Sequence, residues 1–138
     1  MDVDISPIKV KYQGKVITID IQKELTIDRN KLESQLSDIP SSYFILCSVR
    51  NNYIKRRDAL ARERDEAYSR AWTFLKDANP SWNNDYVSHK ANANHKYVSL
   101  SNKYLKAAEK ASMLIDLCKA YESKEGILRT ISANQRRQ

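Results

Sequence analysis

Residues 41–76 contain neither glycine nor proline. Few features restrict a chain more, because those two residues are the usual punctuation between elements. A helix over these 36 residues is about 54 Å long at about 1.5 Å per residue. That length rarely belongs to a compact globule and points to coiled-coil or oligomer packing. A second proline-free stretch runs over residues 86–132, with Gly126 its one glycine. Only 2 Gly and 3 Pro occur in 138 residues, which is room for one domain but too few turn formers for a loop-rich all-β fold or a disordered low-complexity chain.

Ahead of the long stretches the apolar period is two. Ile8, Val10 and Tyr12 alternate with Lys9 and Lys11, and after Gln13-Gly14 the residues Ile17, Ile19 and Ile21 alternate with Thr18 and Asp20. Alternation about a Gly turn predicts a hairpin, although Gln-Gly is a weaker turn than Asn-Gly. A lone hairpin is marginal in water, so it must lie on helices or on a neighbouring subunit. From Asp28, an N-cap candidate, the spacing of Leu32, Leu36 and Ile39 is helical until Pro40, which predicts a break and the first turn of a second helix. Residues 76–85 read as a connection, and the low helix propensity of Asn92, Asn94, Ser99 and Ser101 weakens the start of the last segment.

Its remainder is more decisive. Tyr97, Leu100, Tyr104, Ala107, Ala111, Leu114, Cys118, Tyr121, Glu125 and Leu128 follow 3-4 spacing. Such heptads predict a coiled-coil or bundle seam, although a buried helix carries the same stripe. Tyr104, Ala111, Leu114, Cys118, Tyr121 and Leu128 are the oligomerisation candidates. The expected fold is mainly α: a long-helix bundle or coiled-coil protomer with a short N-terminal β-hairpin, oligomeric. Residues 1–24 form the hairpin arm and residues 25–138 the helical domain.

Lys and Arg number 24 against 17 Asp and Glu, a net charge of +7. The excess sits on the two long helical segments, which predicts an affinity for polyanions. Arg50, Arg57 and Arg64, seven apart, fall within the apolar face of the first long helix. An unpaired charge there is costly. Either this part of the face grips phosphates, with Tyr53, Tyr68 or Trp72 offering surfaces for bases, or the arginine stems snorkel and pair across a subunit contact. In the run from Lys55 to Arg70, Asp58 and Glu66 stand at helical spacing from Arg62, and Glu66 from Arg70, so those cations are expected to be partly neutralised. Lys55, Arg56 and Arg57 lack such a neighbour and are the first choice for phosphate contacts. Lys96, Lys103 and Lys110 make a second row, with few acids to receive them. The nucleic-acid-binding candidates are therefore Arg50, Lys55, Arg56, Arg57, Arg62, Arg64, Lys96 and Lys103. Trp72, Phe74 and Trp82 suit either stacking on bases or packing about the connection.

Other classes find no support. No run of about 18 apolar residues is present, and the acidic start Met1-Asp2-Val3-Asp4 is unlike a signal peptide. Cys47 and Cys118, distant in sequence, fit a reducing cytoplasm as two small hydrophobes. His89 and His95, six apart, have no Cys or acid placed to complete a metal site. No catalytic dyad or nucleotide motif occurs, so neither an enzyme, nor a cofactor, nor a metal is expected.

The order of these features resembles the UvsY family of phage recombination mediators. The resemblance rests on Ile27-Asp28 with Lys31-Leu32, Tyr43 leading into Ile54-Lys55-Arg56-Arg57-Asp58-Ala59-Leu60, the helix ending Ala67-Tyr68, and Leu114-Ile115-Asp116-Leu117-Cys118 before Lys124 and Leu128. It covers roughly residues 25–131, and the hairpin departs from it. It implies a helical protomer forming a ring-like homo-oligomer through its C-terminal helix, in the host-cell cytoplasm if phage-encoded. It also implies binding to single-stranded DNA, a RecA-like recombinase and a single-strand-binding protein, and a role in DNA recombination and repair. Lys55, Arg56, Arg57, Arg62 and Arg64 match the family's DNA-binding stretch. The competing expectation is a structural or adaptor coiled-coil protein of phage assembly whose basic face meets an acidic partner.

Overall fold

The computed structural model describes residues 7–137. Strands β1 (Ile8–Tyr12) and β2 (Lys15–Ile19) are followed by a short helix α1 (Ile21–Leu25), a 3-10 turn (Arg29–Lys31) and three helices, α2 (Leu32–Ala78), α3 (Asn84–Asn92) and α4 (His95–Arg136). The architecture is mainly α with an N-terminal hairpin, as the periodicity predicts. No described helix is long and apolar enough to cross a membrane. Two compact units emerge: one joins the residues up to Asn51 with those from Ser112 onward, and the other is Asn52–Ala111. Each takes one stretch of α2 and one of α4.

In the first unit, β1 and β2 pair antiparallel with Ile8 opposite Ile19 and Val10 opposite Ile17. Gln13 (φ 50°) and Gly14 (φ 75°) make the turn, both left-handed as a tight two-residue hairpin demands. Ile8, Val10 and Ile19 are buried, whereas Lys9, Lys11 and Val16 face outward. The strand pattern read through Ile21 ends at Ile19, because the Asp20 carboxylate accepts the Lys23 amide at 3.2 Å and starts α1. Residues 1–6 of the expected arm lie outside the described residues. Asp28 does cap: its carboxylate accepts the Asn30 amide at 2.9 Å. Its backbone also exchanges two hydrogen bonds with the Gln35 side chain.

Pro40 does not break the chain's direction of travel; α2 runs through it. Its missing N–H leaves the Leu36 carbonyl without a helical donor, at a cost of about 3 kcal/mol. Burial of Leu32, Ile39, Leu46 and Val49 along the same helix outweighs that cost. Each large aliphatic side chain contributes about 1.5–3 kcal/mol when fully buried. From α4 come Leu114, Leu117, Cys118, Tyr121 and Leu128, all buried. Tyr43 stacks on Tyr121 with ring centroids 6.0 Å apart and donates its hydroxyl hydrogen to Glu122. That hydrogen bond, with partial burial and the neighbouring Cys47, raises the Tyr43 phenol well above its ordinary pKa. The Lys124 ammonium closes the unit by donating to the Glu24 carbonyl at 2.6 Å.

The second unit pairs α2 with α4 antiparallel. As α2 advances from Tyr53 through Arg64 to Tyr68, the partner on α4 falls back from Lys110 through Tyr104 to Tyr97. Its core holds Ala67, Val87, Ala91, Leu100, Ala107 and Ala111. The connection after α2 is shorter than residues 76–85, since Asn83 already caps α3 by accepting the Tyr86 amide at 2.8 Å. The last segment is split: Asn94 accepts the Tyr97 amide at 3.1 Å and begins α4, while Gly126 passes without interruption.

The oligomerisation candidates are largely covered within the chain. Ala111, Leu114, Cys118, Tyr121 and Leu128 are buried by the chain itself, and Tyr104 is half-buried beneath the Arg64 guanidinium. The 3-4 stripe is thus an internal seam, satisfied within one chain.

Candidate nucleic-acid interface

Arg50, Arg57 and Arg64 sit where their seven-residue spacing puts them, on the inward stripe of α2, and all three are half-buried. Each makes a hydrogen bond to the residue that follows it, a carboxylate for Arg57 and Arg64 and a neutral amide for Arg50. Arg50 Nε donates to Asn51 Oδ1 at 3.2 Å, Arg57 Nε to Asp58 Oδ1 at 3.0 Å, and Arg64 Nε to Asp65 Oδ1 at 3.1 Å. The motif is an Arg followed by Asn or Asp every seven residues, a repeat legible in the sequence. The side chains of Arg57 and Arg64 are only 31% and 25% exposed. Their stems therefore cover apolar surface while their heads emerge sideways to the adjacent carboxylate. Arg64 also lies 4.4 Å from the centre of the Tyr104 ring. These contacts fall within the chain, so each arginine of the row has a partner without a subunit contact.

Pairing on the outer face of α2 differs from the helical-spacing expectation. Among the i,i+4 pairs foreseen there, Glu66–Arg70 forms, at 2.9 Å. Asp58 pairs with Arg57 rather than Arg62. Arg57, a first choice for phosphate, is thus engaged, and Arg62, expected to be neutralised, is exposed without an ion pair among the described residues. Lys55 and Arg56 are likewise exposed and outside every ion pair described. Lys55 and Arg62 differ by seven residues, so they share a face and lie about 10.5 Å apart along the axis.

On α4, Lys103 and Lys106 are exposed and make no described ion pair. Lys96 is exposed but shares a shallow groove with Glu63, Glu66 and Arg70, which dilutes its field. Lys110 lies over the Tyr53 ring at 5.7 Å. The unit Asn52–Ala111 carries twelve Lys and Arg against seven Asp and Glu, a net of +5, whereas the rest of the chain carries twelve against ten, a net of +2. The positive excess is therefore concentrated in the second unit. Lys55, Arg56, Arg62, Lys103 and Lys106 are among its exposed cations. Arg50 belongs to the first unit, beside the Cys118 thiol.

The aromatic residues divide in the same way. Tyr68 packs on Tyr97 at 5.4 Å between centroids, Trp72 Nε1 donates to Ser88 Oγ at 3.1 Å, and Trp82 meets Tyr86 edge-on at 4.8 Å. Trp72 and Trp82 thus anchor the α2–α3 turn. Lys76 joins them by donating to the Trp82 carbonyl at 2.6 Å. Phe74 is 73% exposed. It stands eighteen residues, or five full turns, beyond Arg56 on the same line of α2. It is among the exposed aromatic residues, with Phe44 and Tyr86. His89 and His95 are exposed, and no described group of three His, Cys, Asp or Glu is placed to hold a metal.

No family model, curated protein or solved structure matches the chain.

Proposed function

We propose that this chain binds single-stranded DNA without sequence preference, performs no bond chemistry, and acts as a recombination mediator of the kind its sequence resembles. The observation that carries the reading is the set Lys55, Arg56, Arg62, Lys103 and Lys106, exposed and outside every described ion pair on the unit of highest positive charge. Phosphates meeting these groups release condensed counterions, a driving force indifferent to base identity. Phe74 supplies a face on which a base can stack, worth about 1–3 kcal/mol. A homo-oligomer sums such weak contacts through effective concentration. A strand held in this way is displayed to a RecA-like recombinase in place of single-strand-binding protein.

Titration of the full chain with fluorescent single- and double-stranded oligonucleotides tests this at two salt concentrations. Five phosphate contacts give a slope of log K against log salt of about −3.5. The affinity for a single strand then falls about a hundredfold between about 50 and 200 mM salt. Absence of binding at the lower salt would leave the adaptor reading, in which the same cations meet an acidic protein.

A further inference from the structure

Cys47 and Cys118 are the chain's only two cysteines, and both are free, one on α2 and one on α4 of the first unit. Tyr43 on α2 contacts Tyr121 and Glu122 on α4 in the first unit. One turn forward from Tyr43 is Cys47, and one turn back from Glu122 is Cys118. In an antiparallel pair these positions oppose each other. The register thus sets the two cysteines across from each other on the facing turns of α2 and α4. Cys118 is buried, whereas Cys47 is half-buried and reachable from solvent. A partly exposed thiol backed by a sheltered one is the arrangement in which a first oxidation product is resolved inside the protein.

We propose that Cys47 and Cys118 form a redox pair that a low-molecular-weight disulfide converts into an intrachain crosslink between α2 and α4. In the first step the Cys47 thiolate attacks one sulfur of glutathione disulfide, forming a mixed disulfide and expelling one glutathione thiolate. In the second, the Cys118 thiolate attacks Cys47 Sγ, forms the protein disulfide and expels the second glutathione thiolate. Two protein thiols are oxidised, one glutathione disulfide is reduced, and the two thiol protons end on the two glutathione molecules. Arg50, whose charge favours the Cys118 thiolate, assists the second step, while burial and the nearby Glu122 oppose it. Burial pushes the Cys118 thiol up to about 11, so crosslinking accelerates as the pH is raised from neutral. The whole unit Asn52–Ala111 lies inside the closed loop, so oxidation ties the ends of the positively charged segment together. The inference stands apart from the nucleic-acid reading, since it rests on the first unit alone.

The test treats the folded full-length chain with glutathione disulfide, blocks remaining thiols with iodoacetamide, and maps non-reduced peptides by mass spectrometry. The expected product is one Cys47–Cys118 peptide pair in a monomer lighter by two hydrogens. Its thermal midpoint is expected to be higher by roughly 10 °C, as for a loop of that length, and to return on reduction. Cys47→Ala or Cys118→Ala each abolishes the linked pair, while the wild-type peptide map stands independently of whether either variant folds. The proposal is overturned if both thiols stay open to alkylation, or if only glutathione adducts or chain-to-chain disulfides form.

Discussion

Two triple substitutions remove equal charge from α2 but are expected to act differently. Lys55→Gln/Arg56→Gln/Arg62→Gln takes away three exposed cations outside every described ion pair. Arg50→Gln/Arg57→Gln/Arg64→Gln takes away three that are bound to Asn51, Asp58 and Asp65. Glutamine keeps helix propensity close to that of lysine and arginine, so α2 itself is little affected. Each lost phosphate contact reduces the single-strand salt slope by about 0.7, so the first variant falls from about −3.5 to about −1.4. Its affinity then drops only about sevenfold over the fourfold salt interval that costs the parent about a hundredfold. The second variant keeps most of the slope. It instead loses about 1–2 kcal/mol of stability through the Arg64–Tyr104 contact and two partly exposed ion pairs. Fluorescence anisotropy with a labelled single strand measures the slopes, and urea unfolding measures the stabilities. Equal slopes for the two variants would refute the division into engaged and open cations and reduce the interaction to bulk charge.

The remaining predictions concern stability. Pro40→Ala restores a donor to the Leu36 carbonyl and is expected to stabilise the chain by about 2 kcal/mol. That is about 3 from the helix, less up to about 1 for the freer unfolded chain; a lower urea midpoint would contradict the account of α2. Cys118, raised to about 11 chiefly by burial, and Tyr43, raised chiefly by its hydrogen bond to Glu122, hold their protons more tightly folded than unfolded. The Cys118 contribution is complete below about pH 9 and is lost as the pH climbs through about 11, whereas that of Tyr43 is lost only at higher pH, so the urea midpoint should fall between about pH 9 and 11 and fall less for Cys118→Ala. An unchanged profile in the variant would remove Cys118 as a cause.

Local periodicity carries information about elements, and the elements were accordingly legible. The hairpin alternation, the long helix of α2 and the seam of α4 all follow from residues within a few positions of each other. What failed were the places where burial outbid a local rule. Pro40 is a helix breaker by propensity, yet Ile39, Leu46 and Val49 hold the helix together on either side of it. Asp20 starts a helix too short to show a period, so α1 was absorbed into the strand pattern.

Ion pairing shows why site assignment needed coordinates. Helical spacing makes Asp58 a partner for Arg62, and considered as an isolated helix that pairing has the favoured orientation, acid before base. But Arg57 lies on the inward stripe, and its guanidinium can leave that stripe only sideways, where Asp58 is the nearest acceptor. Glu66 then has two cations at equal spacing and takes Arg70, the one that follows it. Arg62 is left outside both pairs by a choice made at the buried face. The same reasoning applies to the cysteines and the α4 seam. A stripe announces that a helix face will be covered, but its period is identical whether the cover comes from another subunit or from an earlier helix of the same chain. Only the antiparallel register set by Tyr43 against Tyr121 and Glu122 shows that the cover is internal, and the same register places Cys47 opposite Cys118. A ring built from this protomer would use a surface other than the stripe from Leu114 to Leu128, because separating that stripe from α2 would expose the core of the unit that carries it.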